Sequence, residues 1–171
     1  MKKHLLVTLL LLSAFFVACA HGKKTVRKKT SKSKTSASAS SAGVRGLTAI
    51  AMRRGACFGR CPEYTITINS NGLVEYNGTR NTTPIGVYEK NIGAEKAQAM
   101  LKQFMDNRVD TCSAIYTARI ADVPAISYTL TLNGQKRQIV NANFGPHYLV
   151  DLSDEMDELG KVDDSWKKIS K

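Results

Sequence analysis

The chain has 171 residues, 43% of them hydrophobic and 23% charged, the size and balance of one globular domain. Its net charge of +11 is unevenly spread: nine of the 25 Lys and Arg lie in residues 1–43, which hold no Asp or Glu, leaving 16 basic against 14 acidic residues. A nucleic-acid-binding domain carries its own basic face, so a remainder this close to neutral argues against nucleic acid as a partner.

Met1 to Ala20 has the layout of an export signal: Lys2 and Lys3, then an almost unbroken apolar run from Leu5 to Val17, then small residues. The run is short of the ~20 residues a membrane span needs. Phe16-Val-Ala-Cys19 resembles a bacterial lipobox, which implies that Cys19 is acylated and becomes the mature N-terminus. A second reading cuts after Ala18-Cys-Ala20 and releases a soluble protein. A cysteine at this place, followed by a polar arm, favours the lipoprotein. Residues 21–43 are Lys, Arg, Ser, Thr and Ala with almost nothing apolar, a composition that cannot offset the entropy of ordering and predicts a disordered tether. Its lysine and arginine groups suit either anionic lipid or cell-wall polymer, or serve only to keep a spacer extended.

A single domain is expected over residues 44–171. Leu47 to Met52 reads as a first strand. Arg53 to Tyr64 follows, crowded with Cys57, Cys61, two glycines and a proline. Tyr64 to Asn69 alternates apolar and polar, Asn71-Gly72 is a hairpin signal of the type I′ kind, and Leu73 to Tyr76 returns. Gly86 to Ile92 adds a strand. Ala94 to Asn107 switches to helical period, with Ala97, Met100, Leu101 and Phe104 on one stripe. Val109 to Ala121 is ambiguous, and Asp122-x-Pro124 breaks it. Ile126 to Leu132, Asn133-Gly134 and Gln135 to Asn141 form a second hairpin signal. Leu149, Leu152, Met156 and Leu159 mark a last helix, with Asp151, Asp154, Glu155, Asp157 and Glu158 assigned to its solvent face and Gly160 to its stop. Asp163 caps a turn that brings Trp166 to the core. The expected fold is α+β: an antiparallel sheet built from two Asn-Gly hairpins with two helices packed on one face.

Cys57-Phe-Gly-x-Cys-Pro-x-Tyr64 resembles the hallmark of a bacterial domain family of unknown function found in exported proteins and lipoproteins. The helix, Asp122-x-Pro124, Gly134 with Lys136, Gly145-Pro146 and Trp166 fit the same pattern, over residues 48 to 168. The resemblance implies fold and export, and carries no catalytic or binding residues with it.

In an exported chain, Cys57-x₃-Cys61 reads first as a disulfide that shapes a tight corner. A redox reading uses the pair with Arg60 as a thiolate partner, although the spacing is one longer than Cys-x-x-Cys. A metal reading adds Cys112 and His147 to make a Cys₃His set; Cys112 fits a small buried hydrophobe better. His147 is the domain's sole histidine, so no catalytic residues, metal or cofactor are assigned. The expected function is a non-catalytic binding or structural domain, displayed by a lipoprotein of the bacterial envelope at the outer membrane. The alternative is an envelope thiol-redox or metal-binding protein using Cys57 and Cys61. Phe58, Arg60 and Tyr64 form the candidate surface for an unidentified protein or small molecule.

Overall fold

The computed structural model describes residues 43–118 and 123–170. The leader with Cys19, the arm up to residue 42 and Asp122 lie outside the described residues. The strands are β1 (Leu47–Arg54), β2 (Glu63–Asn69), β3 (Leu73–Arg80), β4 (Gly86–Asn91), β5 (Ile115–Tyr116), β6 (Ile126–Leu132), β7 (Gln135–Asn141) and β8 (Lys167–Ser170), and the helices are α1 (Ala94–Asp106) and α2 (Tyr148–Leu159). All eight strands join one sheet in the order β5-β7-β6-β1-β2-β3-β4-β8, antiparallel throughout except where β5 meets β7. The fold is α+β, as expected. Among the described residues no helix is long and apolar enough to cross a membrane.

Alternation builds the core. Ile66 and Ile68 of β2, Val74 and Tyr76 of β3, and Ile126, Tyr128 and Leu130 of β6 are buried at every second position, because successive strand side chains point to opposite faces. In β1 the buried residues are Leu47, Ile50 and Met52, and a register shift against β6 between Leu47 and Ala49 accounts for the broken parity. Ala97, Met100, Leu101 and Phe104 of α1 and Leu149, Leu152 and Met156 of α2 complete the same hydrophobic cluster. Tyr128 touches both helices: its ring meets Phe104 edge-on at 5.8 Å, and its hydroxyl donates to the Leu149 carbonyl.

The turns differ in kind. Asn133 and Gly134 both take positive φ (51° and 78°), the type I′ geometry that suits a two-residue link. At the β2–β3 turn only Gly72 does so, at 98°, and its N–H donates to the Asn69 carbonyl at 2.9 Å. This loop is therefore a longer one than the type I′ turn expected there. Gly72 also has no room for a side chain, since a Cβ would stand 2.5 Å from the Gly93 carbonyl carbon.

Two strands escaped the sequence reading. β5 lies in the stretch left ambiguous and is only two residues long. β8 follows the Trp166 turn, and its Lys167 and Lys168 mark it as an edge strand, where lysine opposes pairing with other chains. Trp166 is buried as expected. Gly160 ends α2 at φ −88°, so it is not chosen for left-handed backbone; a Cβ there would meet Ile66 at 2.2 Å, and close approach of helix to sheet requires glycine.

Candidate functional site

The cysteine segment bridges the ends of β1 and β2. Cys57 and Cys61 stand at disulfide distance, with Cα atoms 5.6 Å apart. Inside the closure the Gly59 N–H donates to the Cys57 carbonyl at 2.9 Å, and Gly59 takes φ 151°, which glycine tolerates best. Two hydrogen bonds tie the loop to its neighbours: Gly55 N–H to the Ala125 carbonyl at 3.2 Å, and Asn81 Nδ2 to the Cys61 carbonyl at 3.3 Å. At its tip Phe58 is 88% exposed, and Arg60 is exposed and has no ion-pair partner among the described residues.

Tyr64 does not join that surface. It is half-buried, stacks on Tyr76 at 5.6 Å between ring centroids, and donates its hydroxyl to Asp157 Oδ1 at 2.7 Å. Burial, and then the hydrogen bond to Asp157, raise its pKa above the ordinary tyrosine value. Arg54, the last residue of β1, reaches the same carboxylate: Nε donates to Asp157 Oδ2 at 2.8 Å, and the guanidinium also meets Asp154 at 3.1 Å and Ser153 at 3.3 Å. Burial works against the charged guanidinium, but Asp157 more than offsets it and lifts the Arg54 pKa above its usual value. Asp157 is thus removed from the solvent face assigned to it; its side chain is 25% exposed. Both carboxylate oxygens are engaged, so the group fastens α2 to the sheet.

A parity argument finds this tie. Ile50 and Met52 are buried, and position 54 continues their face, so an arginine there needs an acidic partner from whatever packs above. Ser153 and Asp157 are four apart on α2, beside Leu149, Leu152 and Met156, so they share a face.

Beneath the cysteine loop a cleft of about 180 Å³ is lined by Arg54, Gly55, Cys61, Pro62, Pro124, Ala125, Ile126 and Asn143. It falls below the ~300 Å³ at which small-molecule pockets begin. The loop is therefore better suited to touching a surface than to enclosing a ligand.

The remaining candidates stand apart. Cys112 is a free, buried thiol whose Sγ lies 3.2 Å from the Tyr148 hydroxyl. That hydrogen bond, then burial, pushes Tyr148 up to about 12. His147 is largely exposed and pairs with Asp151 at 3.1 Å. Among the described residues no three His, Cys, Asp or Glu side chains are grouped as a metal site, so the Cys57, Cys61, Cys112 and His147 set is not assembled.

Two expectations follow. Serine at both Cys57 and Cys61 should cost only about 2 kcal/mol, the loop-entropy term for so small a ring, and chemical denaturation should still show one cooperative transition. Alkali should destabilise the domain. Tyr64, Tyr128 and Tyr148 all have raised pKa values, so the folded state holds their protons more tightly than the unfolded chain. That contribution is complete below the ordinary tyrosine value of about 10 and is lost as pH rises through the raised values, about 12 for Tyr148. Urea midpoints measured across this window should fall, and Tyr64→Phe should flatten the fall.

Residues 48–160 match a family described as Domain of unknown function (DUF6438), a span that runs from β1 through α2 and stops short of Trp166 and β8. No curated protein and no solved structure matches the chain.

Proposed function

The chain belongs to the DUF6438 family, and from that premise we propose that it is a lipid-anchored protein of the bacterial envelope whose domain binds rather than catalyses. Acylated Cys19 is the anchor, residues 21–43 are the tether, and the domain from residue 44 is what the tether displays, at the outer membrane. The observation that carries this reading is the Cys57–Cys61 closure at disulfide distance beneath an exposed Phe58. Disulfides persist in oxidising compartments and are rare in the cytosol, which agrees with the export signal ahead of Cys19. Catalysis has little support: Arg54 and Tyr64 occupy both oxygens of Asp157, and among the described residues His147 pairs with Asp151 alone.

Two acyl attachments at Cys19, through the thioether diacylglyceryl and the terminal amide, would hold far more firmly than the marginal binding of one chain. Mass spectrometry of the mature N-terminus tests the anchor. The expected spectrum shows triacylated Cys19, and blocking lipoprotein processing with globomycin should leave the leader attached. A mature chain beginning with unmodified His21 would refute it.

A further inference from the structure

One row of paired residues marks an end of the sheet: Tyr116, Asn141, Ile126, Arg54, Tyr64, Gly78 and Gly86 follow one another across β5, β7, β6, β1, β2, β3 and β4. Every large hydrophobic residue that is exposed among the described residues lies beyond that row or within two residues of it. Phe58 tips the β1–β2 loop, Ile85 ends the β3–β4 loop, and Phe144 follows β7. Ile115 precedes Tyr116, and Ile169 adjoins Ser170, which pairs with Val87 at the start of β4. The opposite end, with the Ser70–Gly72 and Asn133–Gly134 turns and the entry at Gly43, carries none.

The apolar end also carries exposed cations. Arg53 and Arg60 are exposed and have no acidic partner among the described residues, and Lys168 projects over the Tyr88 ring at 5.6 Å. The acidic Glu63 pairs with Arg80, and Arg54 bridges Asp157 and Asp154. Exposed aromatic and aliphatic side chains interspersed with uncompensated cations match a bilayer interface, in which apolar groups enter the acyl boundary while lysine and arginine meet anionic head groups.

We propose that this end of the sheet docks on an anionic lipid bilayer, with Phe58 and Phe144 entering the interface and Arg53, Arg60 and Lys168 held at the head groups. This rests on the envelope lipoprotein reading and gives the domain a second, reversible attachment to a membrane. Chain length permits it. A coil of the tether's length reaches ~25 Å, similar to the ~26 Å height of an eight-residue strand. The apolar end can therefore meet the same leaflet that holds Cys19, although the chain enters the domain at the other end.

The test uses the full chain carrying Phe58→Trp in vesicles of phosphatidylglycerol and phosphatidylethanolamine, with brominated lipid as quencher. The sole native tryptophan, Trp166, is buried, so the wild-type signal can be subtracted. The introduced indole should shift to the blue and lose most of its emission to the quencher, and both effects should weaken when phosphatidylglycerol is omitted. Phe144→Ser together with Arg60→Ser should reduce the quenching. Emission that stays at the water-exposed wavelength and unquenched on anionic vesicles overturns the proposal. So does a blue shift produced by envelope proteins and not by lipid. The anchor is scored separately by the mass of the mature N-terminus. Quenching of an unacylated chain by added vesicles would uphold docking while refuting the anchor, and acylation without quenching would do the reverse.

Discussion

Tyr128→Ala is expected to cost about 3–5 kcal/mol, the range for removing a large aromatic side chain from a core. Tyr128 is fully buried and sits in β6 opposite Met52 on one side and Ile139 on the other. It is also where both helices meet the sheet, through the edge of Phe104 and the Leu149 carbonyl. Alanine leaves a cavity that two helices and three strands would have to collapse to fill, and rigid neighbours of that kind relax only partly. Tyr128→Phe separates the two contributions. It keeps the ring and loses only the hydroxyl, so the loss should be about 1 kcal/mol. Urea unfolding of the three proteins is the measurement. Equal midpoints for Ala and Phe would mean that the ring contributes nothing, against the packing described above.

The second large effect is expected at Asp157. Asp157→Ala strips Arg54 of its main counter-charge and leaves the Tyr64 hydroxyl without its acceptor. Breaking one partner of a buried pair costs roughly 3–5 kcal/mol. Here both side chains retain 25% exposure, and Asp154 and Ser153 remain within reach of Arg54, so about 2–3 kcal/mol is the expected loss. Arg54→Met combined with Asp157→Leu should restore most of it, because two apolar groups leave no charge unpaired where one deletion does. Thermal or urea melts of Arg54→Met, Asp157→Leu and the double variant complete the cycle. If the double variant costs the sum of Arg54→Met and Asp157→Leu, the two residues are not coupled and the tie between β1 and α2 is not what holds the helix.

These predictions draw unequally on sequence and structure. The alternation of Tyr64 to Asn69 and of Ile126 to Leu132, the helical stripe of α1 and the apolar positions of α2 are local patterns. Each is written in the chain because an element buries only one face, so its boundaries were found to within a few residues. The Cys57–Cys61 spacing was equally legible: two cysteines four apart can scarcely avoid each other once a glycine lets the loop close. β5 and β8 were not legible, since two and four residues make too short a pattern, and both depend on a neighbouring strand for their hydrogen bonds.

Tyr64 and Asp157 show where local reading stops. Tyr64 looked like part of the exposed corner because it closes the cysteine motif, and Asp157 looked solvated because it sits among four other acidic residues of one helix. The position of α2 across β1 and β2 reverses both assignments, bringing Arg54, Tyr64 and Asp157 together from points about 100 residues apart in sequence. The clustering of Phe58, Ile85, Ile115, Phe144 and Ile169 at one end of the sheet is a fact of the same order. They belong to separate segments, and only strand order and register place them on one rim.

By itself, then, the amino-acid sequence determined the α+β class and the stapled corner, since each depends on residues near one another in the chain. Tertiary structure alone decided which charges are paired and which apolar side chains remain in water. Those depend on what packs above a residue, and a single strand or helix carries no record of its neighbour.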